Sequence, residues 1–260
     1  MTSHVVVYRQ AFQCALASRM AYRADLFISA AIMLLFEAIV PFVTVLIYRS
    51  GSAFPGWTMY EALMIQAVFL LVKGVAFPFF FGIVWNIMDR VREGTFDLLL
   101  IKPRSILFLC IATGIDIEDL GKLVGGVAMM ILVFTQLPLP GFWQFCQFGL
   151  LFAAALSVFF SFALILSGLL FKWVGNGRMW EIFGAATRFS LYPLSIFSKG
   201  LQLFLTAVIP IAMMGFFPAS VLLGKPHEGM ALGVAMCGVF FAFSLWFWHS
   251  MMKHHTSAGG

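Results

Sequence analysis

The chain has 260 residues, 62% of them apolar and only 10% charged, with a formal net charge of +5. A soluble domain carries about 25% charged residues, so this chain lacks the polar groups to cover a water-facing surface, and it belongs in a bilayer. At about 20 apolar residues per crossing, the length holds six spans with modest loops and no appended soluble domain, and its basic residues flank hydrophobic runs rather than gathering in a block that would suit nucleic acid.

Residues 1–25 read as an amphipathic helix lying in the interface. Val5, Val6, Val7, Phe12, Leu16 and Met20 interleave with Tyr8, Arg9, Gln10, Arg19 and Arg23, and the basic face is expected to rest on anionic membrane lipid. The stretch lacks the uninterrupted apolar run and the cleavage site of a signal peptide, so the first span is also expected to be the targeting signal. That span is expected at 26–48, interrupted by Glu37 and Pro41, with a turn at 51–57 around Pro55. The second, at 59–86, carries Lys73 and Pro78.

A polar stretch occupies 89–104, then a mixed one at 105–119 ends in Asp116, Glu118 and Asp119. Either one long helix begins near Ser105 and is submerged only in its second half, or an interfacial helix precedes a third span at 120–137. Under both readings the three carboxylates belong near the headgroups, because each is costly in hydrocarbon. A Pro-Leu-Pro-Gly turn leads to a fourth span at 142–171, closed by a basic loop from Lys172 to Arg178. Residues 180–223 are too long for one crossing and are punctuated by Pro193, Lys199, Pro210 and Pro218. A fifth span at 181–197 followed by a re-entrant outer segment at 201–223 fits them best. The sixth span, 229–248, ends in an aromatic belt of Trp246 and Trp248, before a cytoplasmic tail at 251–260 whose last residues, 257–260, are expected to be disordered. The fold expected is thus all-α: a 26–250 membrane domain of six transmembrane helices behind an N-terminal interfacial helix.

With the N-terminus inside, Arg9, Arg19, Arg23, Arg90, Arg92, Lys102, Arg104, Lys172, Arg178 and Lys253 are cytoplasmic, and only Arg49, Lys199 and Lys225 lie outside. The bias places both termini in the cytoplasm. Glu37 and Lys73 both fall near mid-membrane by the helical rise of about 1.5 Å per residue, and an ion pair between them would lessen the cost of burying either. Glu181, Arg188 and Tyr192 are spaced seven and four apart, so a continuous helix would place them on one face, either lining a path or forming a structural network. The 31 phenylalanines and 15 methionines invite an aromatic cage for an organic cation, yet most such residues face lipid or neighbouring helices. Gly125-Gly126 and the Gly229/Gly233 pair permit close helix packing, within the chain or across a dimer.

Cys14, Cys110, Cys146 and Cys237 show no CxxC spacing, and the histidines show no HExxH, so packing cysteines and no metal site are expected. No Ser-His-Asp arrangement stands out either, and no catalytic site is expected. The polar stretch at 89–104 combines both signs of charge with Phe96, an apolar Leu98–Leu100 run and a helix-ending Pro103. It reads either as an ordinary positive-inside loop whose leucines rest on the membrane, or as a docking helix whose exposed Phe96 and leucines anchor a cytosolic partner.

The order Arg92, Gly94, Phe96, Asp97, Leu98 to Leu100, Lys102, Pro103 resembles the loop after the second span in ABC-2 type permeases, and more narrowly the viologen-exporter branch. A second stretch, Ser190-Leu191-Tyr192-Pro193, Phe197, Val208-Ile209-Pro210, Phe217-Pro218-Ala219 and Leu222-Leu223-Gly224, is similar to that branch in the expected place. The resemblance covers essentially the whole chain. It implies a bacterial inner-membrane half-transporter: two permeases, identical or related, pair with two copies of a cytosolic ABC ATPase that drive export of a hydrophobic or amphipathic substrate. It also implies that Arg90, Arg92, Glu93, Gly94, Phe96, Asp97, Leu98, Lys102 and Pro103 contact the ATPase. ATP and Mg would bind that partner and no cofactor this chain, in keeping with the absence of a GxxxxGK[ST] loop from the sequence. The acidic run at Asp116, Glu118 and Asp119 matches no motif of the family. Two rival readings are a proton-coupled transporter with Glu37 as carrier and a membrane anchor or scaffold for a cytosolic partner.

Overall fold

The computed structural model describes residues 4–173 and 177–254, and these form helices, turns and loops with no strand among them. Residues 257–260 and His255 lie outside the described residues, as do residues 174–176 of the basic loop.

Helix α1 (His4–Ala21) stops at Tyr22, whose φ and ψ of −115° and 50° leave the helical region, so α2 (Arg23–Arg49) starts as a separate rod. Only Thr44 of α2 is fully buried. Helix α3 (Met59–Ala76) is its opposite, buried along most of its length. A capping box starts it: the Glu61 N–H donates to the Thr58 hydroxyl, and the Thr58 N–H donates to the Glu61 carboxylate at 2.9 Å. Pro78 has no N–H to give to the preceding turn, and Phe77–Phe81 widen into a π-helical turn before α4 (Ile83–Arg92) resumes. Together Met59–Arg92 form one 34-residue rod. It carries the first residues of the polar stretch as its own end.

The chain then turns through Gly94 at φ +70°, a left-handed conformation that suits glycine, into the single turn α5 (Asp97–Leu100). Helix α6 (Ile106–Thr113) is capped by the Ser105 hydroxyl, which accepts from the Phe108 N–H, and α7 (Leu120–Phe134) begins after a break at 114–119. Of the two readings of 105–119, separate helices are therefore observed and a single long one is not. Helix α8 (Phe142–Leu170) crosses the centre and precedes α9 (Gly177–Thr187). Short turns at Arg188–Leu191 and Leu194–Ile196, α10 (Lys199–Leu203), a π-helical turn at Phe204–Val208, a turn at Ile211–Met214 and α11 (Phe216–Leu222) lead to α12 (Met230–Met252).

Among the described residues four helices are long and apolar enough to cross a membrane: α2, the α3–α4 rod, α8 and α12. Helix α7 has 15 residues and α9 has 11. At about 1.5 Å per residue both fall short of a hydrocarbon core of about 30 Å. The stretch expected as a fifth span at 181–197 is not one helix: α-helix ends at Thr187, and Pro193 separates the two short turns beyond it. Non-helical backbone survives at membrane depth only where protein covers it. Residues Ile211–Met214 and α11 meet that condition, since every one of them is buried, packed against α8 and α3.

Two close approaches set the geometry around the site. A Cβ on Gly74 would lie 2.4 Å from the backbone of Leu123, and one on Gly126 2.7 Å from the Leu71 Cα, so α3 and α7 meet backbone to backbone. A Cβ on Gly82 would lie 1.8 Å from the Gly114 carbonyl oxygen, which holds the end of α6 against the start of α4. Gly125 faces Leu34 of α2 and Gly233 faces Phe217 of α11, so the glycines singled out in the sequence pack within the chain.

Candidate functional site

A partly open cavity of about 550 Å³ separates α2 from α9. Helix α2 contributes Met33, Phe36, Glu37 and Val40, and α3 with the π turn contributes Phe69, Lys73 and Phe77. From the other side come Trp180, Phe183, Thr187 and Arg188, while Trp85 and Phe159 stand on α4 and α8. The break at 114–119 and the start of α7 add Asp116, Glu118, Asp119 and Lys122.

The acidic run is held there by the π turn. The Asp116 N–H donates to the Pro78 carbonyl at 3.1 Å, and the Glu118 N–H donates to Asp116 Oδ1 at 3.1 Å. Helix α1 grips the same turn from outside: the Tyr8 hydroxyl donates to the Phe79 carbonyl at 2.7 Å, and the Phe12 and Phe79 rings stack with centroids 6.1 Å apart. Burial pushes the Tyr8 phenol above its ordinary pKa of 10.0.

Charges at this depth are costly unless compensated, and most of these are. Lys73 forms an ion pair with Glu37, Lys122 with Asp119, and Glu118 with Arg19 of α1. Lys122 Nζ lies 4.3 Å from the Phe77 ring centroid and Lys73 Nζ 5.7 Å from it, so the two lysines share one aromatic ring. Asp116 and Arg188 line the same cavity and form no ion pair among the described residues. The aromatic wall is continuous: Trp85 meets Trp180 at 4.9 Å, Trp180 meets Phe183 at 5.4 Å, and Phe183 meets Phe81 at 5.1 Å.

The structure thus brings Glu37 and Lys73 together and adds Arg188 to their cavity. It does not unite Arg188 with Glu181 and Tyr192. Glu181 is exposed and lines nothing there, and Tyr192 lies past the helix with φ −123° and ψ 153°, its ring against Phe54 at 5.8 Å. The helical face expected for these three ends at Thr187. Four charged residues of the cavity, Asp116, Glu118, Asp119 and Lys122, had no assigned role in the sequence. Their signal was an acidic run directly before a helix start with a lysine at i+3. Of the cavity's aromatic rings, Phe77 is already taken by Lys122 and Lys73.

The 89–104 stretch forms a second site of interest. The Thr95 and Phe96 N–H groups donate to the Arg90 carbonyl at 2.9 and 3.2 Å, closing the turn that Gly94 permits. Arg90 Nε donates to Asn86 Oδ1 at 2.7 Å, so this guanidinium is tied to its own helix. Phe96 corrects the expectation of an exposed anchor: it is fully buried, with its ring 5.0 Å from Phe171, which in turn meets Trp248 at 6.0 Å. Leu99 is buried as well. The apolar side chains that face outward are Leu98, Leu100 and Ile101, the last 81% exposed, flanked by exposed Arg92, Glu93, Gly94, Lys102 and Pro103. Asp97 is half-buried.

In comparison with known proteins, the family described as ABC-2 family transporter protein matches residues 33–259 of this chain. No curated protein matches it.

Proposed function

We propose, from the premise that this chain belongs to the ABC-2 family of transporter proteins, that it is the membrane-spanning permease subunit of an ATP-driven exporter in the bacterial inner membrane. Its multi-pass membrane character rests on the family and on the four long apolar helices. In our reading the fold completes six spans, with α7 and α9 as the shorter crossings, each extended by the residues beyond it to 137 and 197, residues 201–223 re-entering from outside, and both termini cytoplasmic. The branch is the viologen-exporter-like one. Two such permeases, identical or related, pair, and two copies of a cytosolic ATPase bind ATP and Mg and hydrolyse the nucleotide.

The observation that carries the coupling is the arrangement at 89–104. Buried Phe96 and Leu99 root the short helix α5 in the core, while Leu98, Leu100 and Ile101 turn outward beside Arg92, Glu93 and Lys102. Three adjacent large apolar side chains with a charged rim are what a protein partner recognises. The rod that ends in this stretch leads through the π turn to Lys73, so a displacement at α5 reaches the cavity through α4 and that turn. ATP-driven closure of the two ATPases would tilt this rod and shift the cavity between inner-leaflet entry and outward exit. The Glu37–Lys73 pair gives Glu37 a fixed counter-ion, which favours this reading over one in which Glu37 carries protons.

The test is a mild-detergent pull-down of the chain from its native membrane with mass spectrometry of what accompanies it. A P-loop ATPase recovered in amounts comparable to the bait is the expected result, and a second permease sequence would distinguish a heterodimer from a homodimer. Recovery of the chain with no ATPase would overturn the exporter reading in favour of a scaffold or an ion-coupled carrier.

A further inference from the structure

We propose that the cavity between α2 and α9 takes a zwitterionic amphiphile, with its cationic group against Asp116, its anionic group against Arg188 and its apolar body along the aromatic wall. That this ligand is the transported substrate rests on the permease reading; the binding itself does not.

Three observations carry the assignment. First, the cavity's other charges are compensated, two pairs within it, Lys73–Glu37 and Lys122–Asp119, and Glu118 by Arg19 of α1. What is left is the Asp116 carboxylate, which accepts one backbone N–H from Glu118, and the exposed Arg188 guanidinium, neither in an ion pair among the described residues. A cation satisfies the first and meets the second, an anion does the reverse, and only a ligand with both charges satisfies both. Second, Phe69, Phe159, Trp180 and Phe183 supply an apolar wall, and the volume of about 550 Å³ falls within the range of about 300–1,000 Å³ usual for small-molecule sites. Third, α2 packs on α3 and α7, whereas α9 packs on α8 and the turn after it. Both walls rest on the α3–α4 rod, through α3 on one side and through Trp85 and Phe81 on the other, and the cavity between them is left partly open.

Trp85 and Trp180 line the cavity and report binding by fluorescence. The purified chain in neutral maltoside micelles is titrated with hexylphosphocholine, hexyltrimethylammonium and hexyl phosphate. The zwitterion is expected to bind at least about tenfold more tightly than either singly charged analogue, the scale of one charge-assisted contact. Asp116→Asn should erase its advantage over the anion, and Arg188→Gln its advantage over the cation. A singly charged analogue that matches the zwitterion, or a ranking that both variants leave unchanged, overturns the assignment. Nanodiscs of chain-brominated phosphatidylcholine separate the sources. Tryptophan quenching that Arg188→Gln relieves assigns the ligand to a lipid, and hexylphosphocholine binding without such quenching assigns it to a free amphiphile. An ATPase pulled down with a chain that shows no zwitterion preference would sink the ligand assignment alone, and a preference without an ATPase would sink the permease reading alone.

Discussion

Glu37 and Lys73 show how a single pair can set the character of a membrane cavity. Pro41 lacks the N–H that would bond the Glu37 carbonyl, so α2 is locally loosened at the residue whose side chain reaches across to α3. The pair is not fully buried, with side-chain exposures of 22% for Glu37 and 18% for Lys73, so removing one partner should cost less than the several kcal/mol of a fully buried pair. Glu37→Gln or Lys73→Met alone is expected to destabilise the detergent-solubilised protein by about 1–3 kcal/mol, and the double variant to recover most of the loss. Thermal melting followed by size exclusion reads this directly, and a double variant no better than the singles would show that the two charges act separately. The pair was legible in the sequence because helical rise places both residues at one depth. Burial of Phe96 was not, because the rings that cover it, Phe171 and Trp248, stand far away in the chain and only the tertiary fold brings them to it.

Between elements, the decisive contacts are backbone crossings and one clip. Gly126 has no room for a side chain against Leu71, whereas a Cβ on Gly149 of α8 meets nothing within 4 Å. Gly126→Val should therefore separate α7 from α3 and eliminate the monodisperse peak, and Gly149→Ala should leave it intact. Equal behaviour of the two would refute the crossing. The clip is Tyr8 on Phe79. Its phenol is neutral when docked, with a folded pKa raised above the unfolded value, so the stabilisation is complete below about pH 10 and is lost as pH rises through the folded pKa. Proteolysis between α1 and α2 at Tyr22 should accelerate above about pH 10 in the native chain, while Tyr8→Phe, which lacks both the hydrogen bond and the titration, should show elevated cleavage without that step. The long elements were readable from apolar runs alone. The region after α9 was not, because four punctuating residues fit several dips and crossings equally well, and the packing of Ile211–Met214 and α11 against α3 and α8 leaves no mark in the local sequence.

Across the whole molecule, one rod joins the two sites. One end is α4 and the turn to α5; its middle is the π turn, held by Tyr8 from α1 and by the Asp116 N–H from the acidic run; the part beyond carries Lys73 into the cavity. Phe96 ties α5 to the ends of α8 and α12 through Phe171 and Trp248, so the α5 stretch is both a surface and a piece of core. These two roles separate by mutation. Phe96→Ala removes a fully buried ring and should cost about 3–5 kcal/mol, lowering the melting temperature of the isolated chain and ATPase recovery together. Ile101→Asp changes an outward-facing side chain that is 81% exposed, so the isolated chain should melt within about 0.5 kcal/mol of the parent while ATPase co-purification falls at least tenfold, to below about 10%. Leu98→Asp should behave as Ile101→Asp does. If Ile101→Asp and Leu98→Asp keep full ATPase recovery while Phe96→Ala loses it only in proportion to its folded fraction, then α5 is core alone. The docking surface would then have to be sought elsewhere, with α1 and its exposed Arg19 the next place to mutate.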